Sequence, residues 1–133
     1  EPEKAVKVGK LKIRAVPVSH SVPTTGFIVD DGDGSLAFSS DTGPTHHFWD
    51  VVNATKNLKA VITESSFPNS EEISLAFPGI SALLGKELEK LKRDVPVYIY
   101  GAKPRFVSRI KKEISALKRK DVTMFVQGRT YTV

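Results

Sequence analysis

A single α/β domain built on a mixed sheet is the fold class this sequence predicts, and three observations predict it. Short apolar runs at 11–18, 26–29, 35–39, 58–64, 95–100 and 122–126 alternate with three stretches of helical periodicity, the pattern of strands crossed by helices in a layered domain. Two of the runs are joined by Asp31-Gly32-Asp33-Gly34, strong hairpin-turn chemistry. The 133 residues suit one domain and can bury a sizeable core.

Residues 1–10 are charged and read as a flexible lead-in, leaving 11–133 as the domain. Leu11, Ile13 and Ala15 alternate with Lys12 and Arg14, as a half-buried strand does. Val16-Pro17-Val18 extends it, with Pro17 marking its end or a sheet edge. The hairpin 26–39 follows. Thr45 is an N-cap candidate for a helix running to about Asn57, with Phe48, Trp49, Val51 and Val52 on its apolar face.

Leu58 to Glu64 is a largely apolar strand ending in a carboxylate. Ser70, Glu71 and Glu72 look like a helix start, Pro78-Gly79 interrupts, and Ser81 restarts a helix carrying Leu84, Leu88 and Leu91 to about Arg93. Val95 to Tyr100 reads as a strand buried on both faces. An amphipathic helix from about Pro104 carries Phe106, Ile110, Ile114 and Leu117. Val122–Val126, a turn at Gly128-Arg129 and Thr130–Val133 predict a closing hairpin.

Composition excludes several function classes. The absence of cysteine removes disulfides and thiolate metal sites and fits the reducing cytoplasm. No apolar run is long enough to span a membrane, and there is no signal-peptide core. The start at Glu1 instead of Met points to a trimmed or excised segment. The formal charge of +5 is concentrated in 103–120. Those bases fall opposite the apolar stripe of the last helix, so they read as a solvated face, and nucleic acid is not expected as a partner.

The chemistry-bearing stretch is VSHSVPTTGFIVDDGDGSLAFSSDTGP, 18–44. His20 lies just past one strand and Asp41 just past the return strand of the hairpin, so both fall at one sheet edge, where a rigid scaffold presents side chains to a ligand. Asp41-Thr42-Gly43 is also the tripeptide of aspartic proteases, but those are almost entirely β. Asp30 to Asp41 superficially matches a calcium loop, but position six is Ser35 where glycine is required. Taken alone, His20 is equally a hydrogen-bonded strand-end histidine, and Asp41 a turn or cap residue. Glu64 is either an orienting carboxylate for His20 or a solvated one. Trp49 and Phe48 read as core, and Lys103 and Arg105 as surface residues or phosphate contacts.

Beyond these local patterns, VSHSVPTTGFIV, FSSDTGP, LKAVITESSFPN, ELEKLKRDVPVYIYGAKPRF and VQGRTYTV resemble, in order, the C-terminal half of class II 3′,5′-cyclic-nucleotide phosphodiesterases. That family has the metallo-β-lactamase fold and binds two divalent metals, zinc, manganese or iron. The resemblance implies half of an αββα sandwich, a mixed sheet with three helices. It places His20 at the family's lone metal histidine and Asp41 at its bridging aspartate, and makes a cyclic nucleotide a possible ligand. The family's His-x-His-x-Asp-His motif has no counterpart here, and its final histidine, in His-Leu-Lys-Pro, falls where this chain reads Gly101-Ala102-Lys103-Pro104. A further family histidine falls near Phe77 to Ser81, which contains none.

A catalytic zinc takes three protein ligands and keeps one position for water. His20 and Asp41 are two, and the family has no ligand at His46 or His47. The expectation is therefore a degenerate site with no tight metal in this chain and no catalysis by it alone. The alternative is a non-catalytic binding or assembly module. Half a sandwich leaves one sheet face bare, so pairing is expected, with a second copy or with a missing N-terminal half.

Overall fold

The computed structural model describes residues 3–68 and 80–133. A seven-stranded sheet forms in chain order: β1 (Ala5–Val8), β2 (Leu11–Val18), β3 (Thr24–Asp30), β4 (Ser35–Phe38), β5 (Leu58–Glu64), β6 (Val97–Tyr100) and β7 (Val122–Met124). Strands β1 to β4 pair antiparallel through short connections. From β4 onward the pairs are parallel, and parallel neighbours need long crossovers. Helix α1 (His47–Ala54) lies between β4 and β5, α2 (Ile80–Leu88) between β5 and β6, and α3 (Val107–Ala116) between β6 and β7. The mixed α/β sheet with three helices is as the sequence predicts.

All three helices feed one core on one face of the sheet. In α1 the buried residues are Phe48, Trp49, Val51 and Val52. In α3, Ile110 and Ile114 are buried one turn apart, and Phe106 continues the stripe from a 3-10 turn at Pro104–Phe106. These side chains meet Val16, Ile28, Ala37, Val61, Val97, Ile99 and Val122 from the strands. Each such aliphatic residue contributes about 1.5–3 kcal/mol when fully buried.

Elsewhere the structure departs from the pattern. Residues 5–8, expected as lead-in, pair with β2 as an edge strand, and its one lysine, Lys7, with its four-residue length, blunts that edge. Strand β6 is not buried on both faces: Val97 and Ile99 are buried, whereas Tyr98 and Tyr100 are half-buried on the opposite face. The closing hairpin is absent. After β7 the chain folds back, with Phe125 stacked on Tyr98 and Tyr131 against both rings. The alternation in Thr130–Val133 gave strand periodicity, but ring packing and a hydrogen bond from Val126 N–H to the Tyr131 hydroxyl (3.0 Å) take the place of ladder bonds. The helix start expected at Ser70–Glu72 and the break at Pro78-Gly79 lie outside the described residues.

Helices α1 and α2 are joined by one carboxylate. The Glu87 side chain, 13% exposed, accepts from Trp49 Nε1 at 2.8 Å and from the Thr45 backbone N–H at 3.1 Å. It also meets the Lys90 ammonium at 2.5 Å. Replacing Glu87 with Ala strips two donors of their acceptor and leaves Lys90 uncompensated. The expected cost is about 2–4 kcal/mol, read as a lower urea midpoint at unchanged m-value.

Candidate functional site

Strands β2 and β4 point the same way across β3, so the carboxyl ends of β2, β4, β5 and β6 share one edge of the sheet. The cleft opens there, as ligand sites do in sheets with parallel strands. His20 follows β2 and Asp41 follows β4. Two hydrogen bonds bring their loops together over the end of β3: Gly43 N–H to the Ser19 carbonyl at 2.6 Å, and the Thr42 hydroxyl to the same oxygen at 3.3 Å. Ser40, at φ 54°, turns the chain just before Asp41. Beneath it the buried Ser39 hydroxyl bonds Thr63 Oγ1 at 2.9 Å, fixing the end of β4 to that of β5.

The resulting cleft encloses about 270 Å³. His20, Asp41, Thr42, Glu64, Ser66, Phe67 and Lys103 are among its walls. Among the described residues His20 Nδ1 has long contacts, with Val22 N–H at 3.5 Å and the Ser21 hydroxyl at 3.4 Å. Lys103 lies 4.1 Å from the centre of the Phe67 ring, an arrangement that holds a cation in place. His46 and His47 are elsewhere; His47 is at the surface, paired with Glu3.

Glu64 is the most perturbed carboxyl of the site. Burial raises its pKa above the ordinary range; the Ser66 hydroxyl opposes this, and the neighbouring Asp41 adds to it. Tyr100 is pushed well above the usual phenol value, first by burial and then by the Glu64 and Asp41 carboxylates. Asp41, Glu64 and Tyr100 thus form one acidic group, with His20 the nearby base. The sequence signalled Glu64 by its strand-end position. Tyr100 gave no signal, because its tyrosine completes an apolar strand pattern, and Trp49 behaves as core, 2% exposed.

Does this site fit a divalent metal? Among the described residues no three His, Cys, Asp or Glu side chains are grouped to hold one. The position the resemblance gives to a third ligand is Gly101, at φ +82°, where a Cβ would stand 2.8 Å from Glu64 Cγ and 3.2 Å from Ser66 Oγ. Glu64 and Ser66 occupy the space a larger side chain would need. The described residues do not complete a metal site.

Comparison with known proteins places the fold. No family model and no curated protein matches the sequence. Among solved structures the chain is similar to the metallo-β-lactamase fold protein YhfI from Bacillus subtilis, at 14% identity and TM-score 0.71, covering 94% of this chain and 51% of that one. It is also similar to Igni18, a metallo hydrolase from the archaeon Ignicoccus hospitalis, at 16% identity and TM-score 0.65, covering 98% and 58%. A third is the isothiocyanate hydrolase from Delia radicum gut bacteria, at 10% identity and TM-score 0.70, covering 97% and 57%. The chain has the metallo-β-lactamase fold and spans about half the length of these structures. No helix among the described residues is long and apolar enough to cross a membrane.

Gly101→Ala is expected to destabilise by about 1–3 kcal/mol, through the left-handed φ and the contact with Glu64. In a Glu64→Ala background the same change costs less, because the Glu64 contact is gone and the backbone strain and the Ser66 contact at 3.2 Å remain. A double-mutant cycle by chemical denaturation measures the difference.

Proposed function

We propose that this chain is the segment of a metal-dependent phosphodiesterase-like hydrolase that carries His20 and Asp41, and that it is not catalytic by itself. The observation that carries this reading is the meeting of His20 and Asp41 at one cleft on the carboxyl edge of the sheet. These are two of the positions that the class II cyclic-nucleotide phosphodiesterase pattern assigns to metal. Solved structures of the same fold include a metallo hydrolase and an isothiocyanate hydrolase. A fold hosts many chemistries, so the cyclic-nucleotide assignment rests on the sequence blocks and not on these neighbours.

What the chain's own residues supply is limited. His20 offers an imidazole nitrogen and Asp41 its side-chain oxygens. Lys103, held over Phe67, is placed to meet a phosphate oxygen at the cleft mouth. A second reading, a non-catalytic module that keeps the fold, is favoured by the packing of Glu64 and Ser66 around Gly101.

Zinc or manganese titrated into the chain is expected to bind weakly. That binding should disappear in His20→Ala and in Asp41→Ala, with no hydrolysis of 3′,5′-cyclic AMP above buffer. Metal binding that survives both substitutions would show that these residues are not donors. Stoichiometric metal with turnover, lost in either variant, would make the chain an enzyme on its own.

A further inference from the structure

Charge is distributed unevenly along this chain. Residues 103–120 hold eight of its 20 Lys and Arg and one of its 15 Asp and Glu. That segment is more positive than the whole chain at +5, and the remainder is net acidic. The sequence alone reads these bases as a solvated face; the structure shows how they are set out. Along α3 and at its two ends Arg105, Arg109, Lys111, Lys112, Lys118 and Lys120 are exposed. Arg105, Arg109 and Lys112 follow one another at four- and three-residue spacing. They share the side opposite the buried Ile110 and Ile114, with the exposed Ser108 among them. At 1.5 Å of rise per residue they span about 10 Å. The Arg105 guanidinium is held 4.4 Å from the centre of the Phe106 ring. Arg119, by contrast, is half-buried and tied to Asp121 at 2.6 Å, so it belongs to the fold.

We propose that this side of α3 binds the phosphate backbone of a nucleic-acid duplex without reading its sequence. The arrangement costs the helix stability. Arg105–Arg109 and Arg109–Lys112 are like-charge neighbours, which weaken a helix, whereas solubility is met by interspersed signs. A phosphate array offsets that cost, because cations that meet it release condensed counterions. Hydroxyls such as that of Ser108 add backbone contacts. Other polyanions suit this side less well. A lipid surface takes a helix by its apolar face, and here that face is in the core; no large apolar side chain of 103–120 is exposed. Single strands are held by stacking bases on aromatic rings, and Phe106, the segment's one aromatic, is buried. A duplex needs neither, since it presents phosphates in a fixed row at about 3.4 Å per strand. The side in question faces away from the sheet. The inference is therefore independent of what covers the sheet's other face and of the proposed catalytic ancestry.

Fluorescence anisotropy of a short labelled DNA duplex, titrated with the purified chain at several KCl concentrations, tests it. The expected Kd is on the order of 10⁻⁵ M at physiological salt. Log affinity should fall against log salt with a slope of about −3, for three cations on phosphates. Arg105→Gln and Lys112→Gln are each expected to reduce that slope by about 1, whereas Lys12→Gln, on β2, leaves it unchanged. All three positions are exposed, and far-UV circular dichroism checks that each variant is folded. Absence of binding at low salt overturns the proposal and leaves α3 a solvated face. So does binding whose salt slope is the same in Arg105→Gln and Lys112→Gln as in the parent chain, which puts the contact elsewhere. Binding to phosphatidylserine vesicles or to polyglutamate, with none to the duplex, overturns it too and assigns this side to lipid or to acidic polypeptide.

Discussion

A sheet with parallel strands at its centre must be shielded on two sides, and this chain has helices for one. The rest of the architecture follows from that inequality. Crossovers through α1, α2 and α3 all fall on the same face, so every buried aliphatic of the helices and the alternate strand positions goes into one core. The opposite positions, apolar as well, are left to what the chain has nearby: the folded-back C-terminal residues, which place Tyr131 on Tyr98. A polar outer face would have made this an ordinary two-layer domain. Phe27, Phe38, Ile62 and Tyr98 make that face apolar instead.

Legibility in the sequence followed the range of the forces involved. Period-2 alternation, the Asp31–Gly34 turn and the 3.6-residue stripe of α3 are local signals, and the corresponding elements stand within a residue or two of where those signals put them. Failures occurred where distant partners decide. Residues 5–8, Ala-Val-Lys-Val, are too short a run among charged neighbours to announce a strand, and they form one because β2 offers a free edge. In β6 an unbroken apolar run hid the difference between a covered and an open face, since tyrosine suits both. The tail was misjudged because strand periodicity says nothing about whether a neighbouring strand is available.

The candidate site was legible to the same extent. Strand-end positions identified His20, Asp41 and Glu64, since topology alone brings the ends of β2, β4 and β5 to one edge. What the sequence could not show was the Gly43–Ser19 hydrogen bond that draws the two loops together, or the way Glu64 and Ser66 fill the space beside Gly101. A larger residue at position 101 has to adopt φ +82° and displace Glu64, so a single substitution does not add a side chain to the cleft there.

Site and open face also meet. Glu64 pairs with Tyr100 in register, two residues beyond the Ile62–Tyr98 pair, so both belong to the uncovered side of the sheet. Any layer that packs on that side will end beside this acidic group, at the rim of the cleft. Two consequences follow from that adjacency. Covering the face further desolvates Glu64 and Tyr100, whose burial already raises both. It also brings the covering layer's edge close to the cleft that His20 and Asp41 line. The cleft and the uncovered face of the sheet thus adjoin at Glu64, which lines the one and pairs in register with Tyr100 on the other.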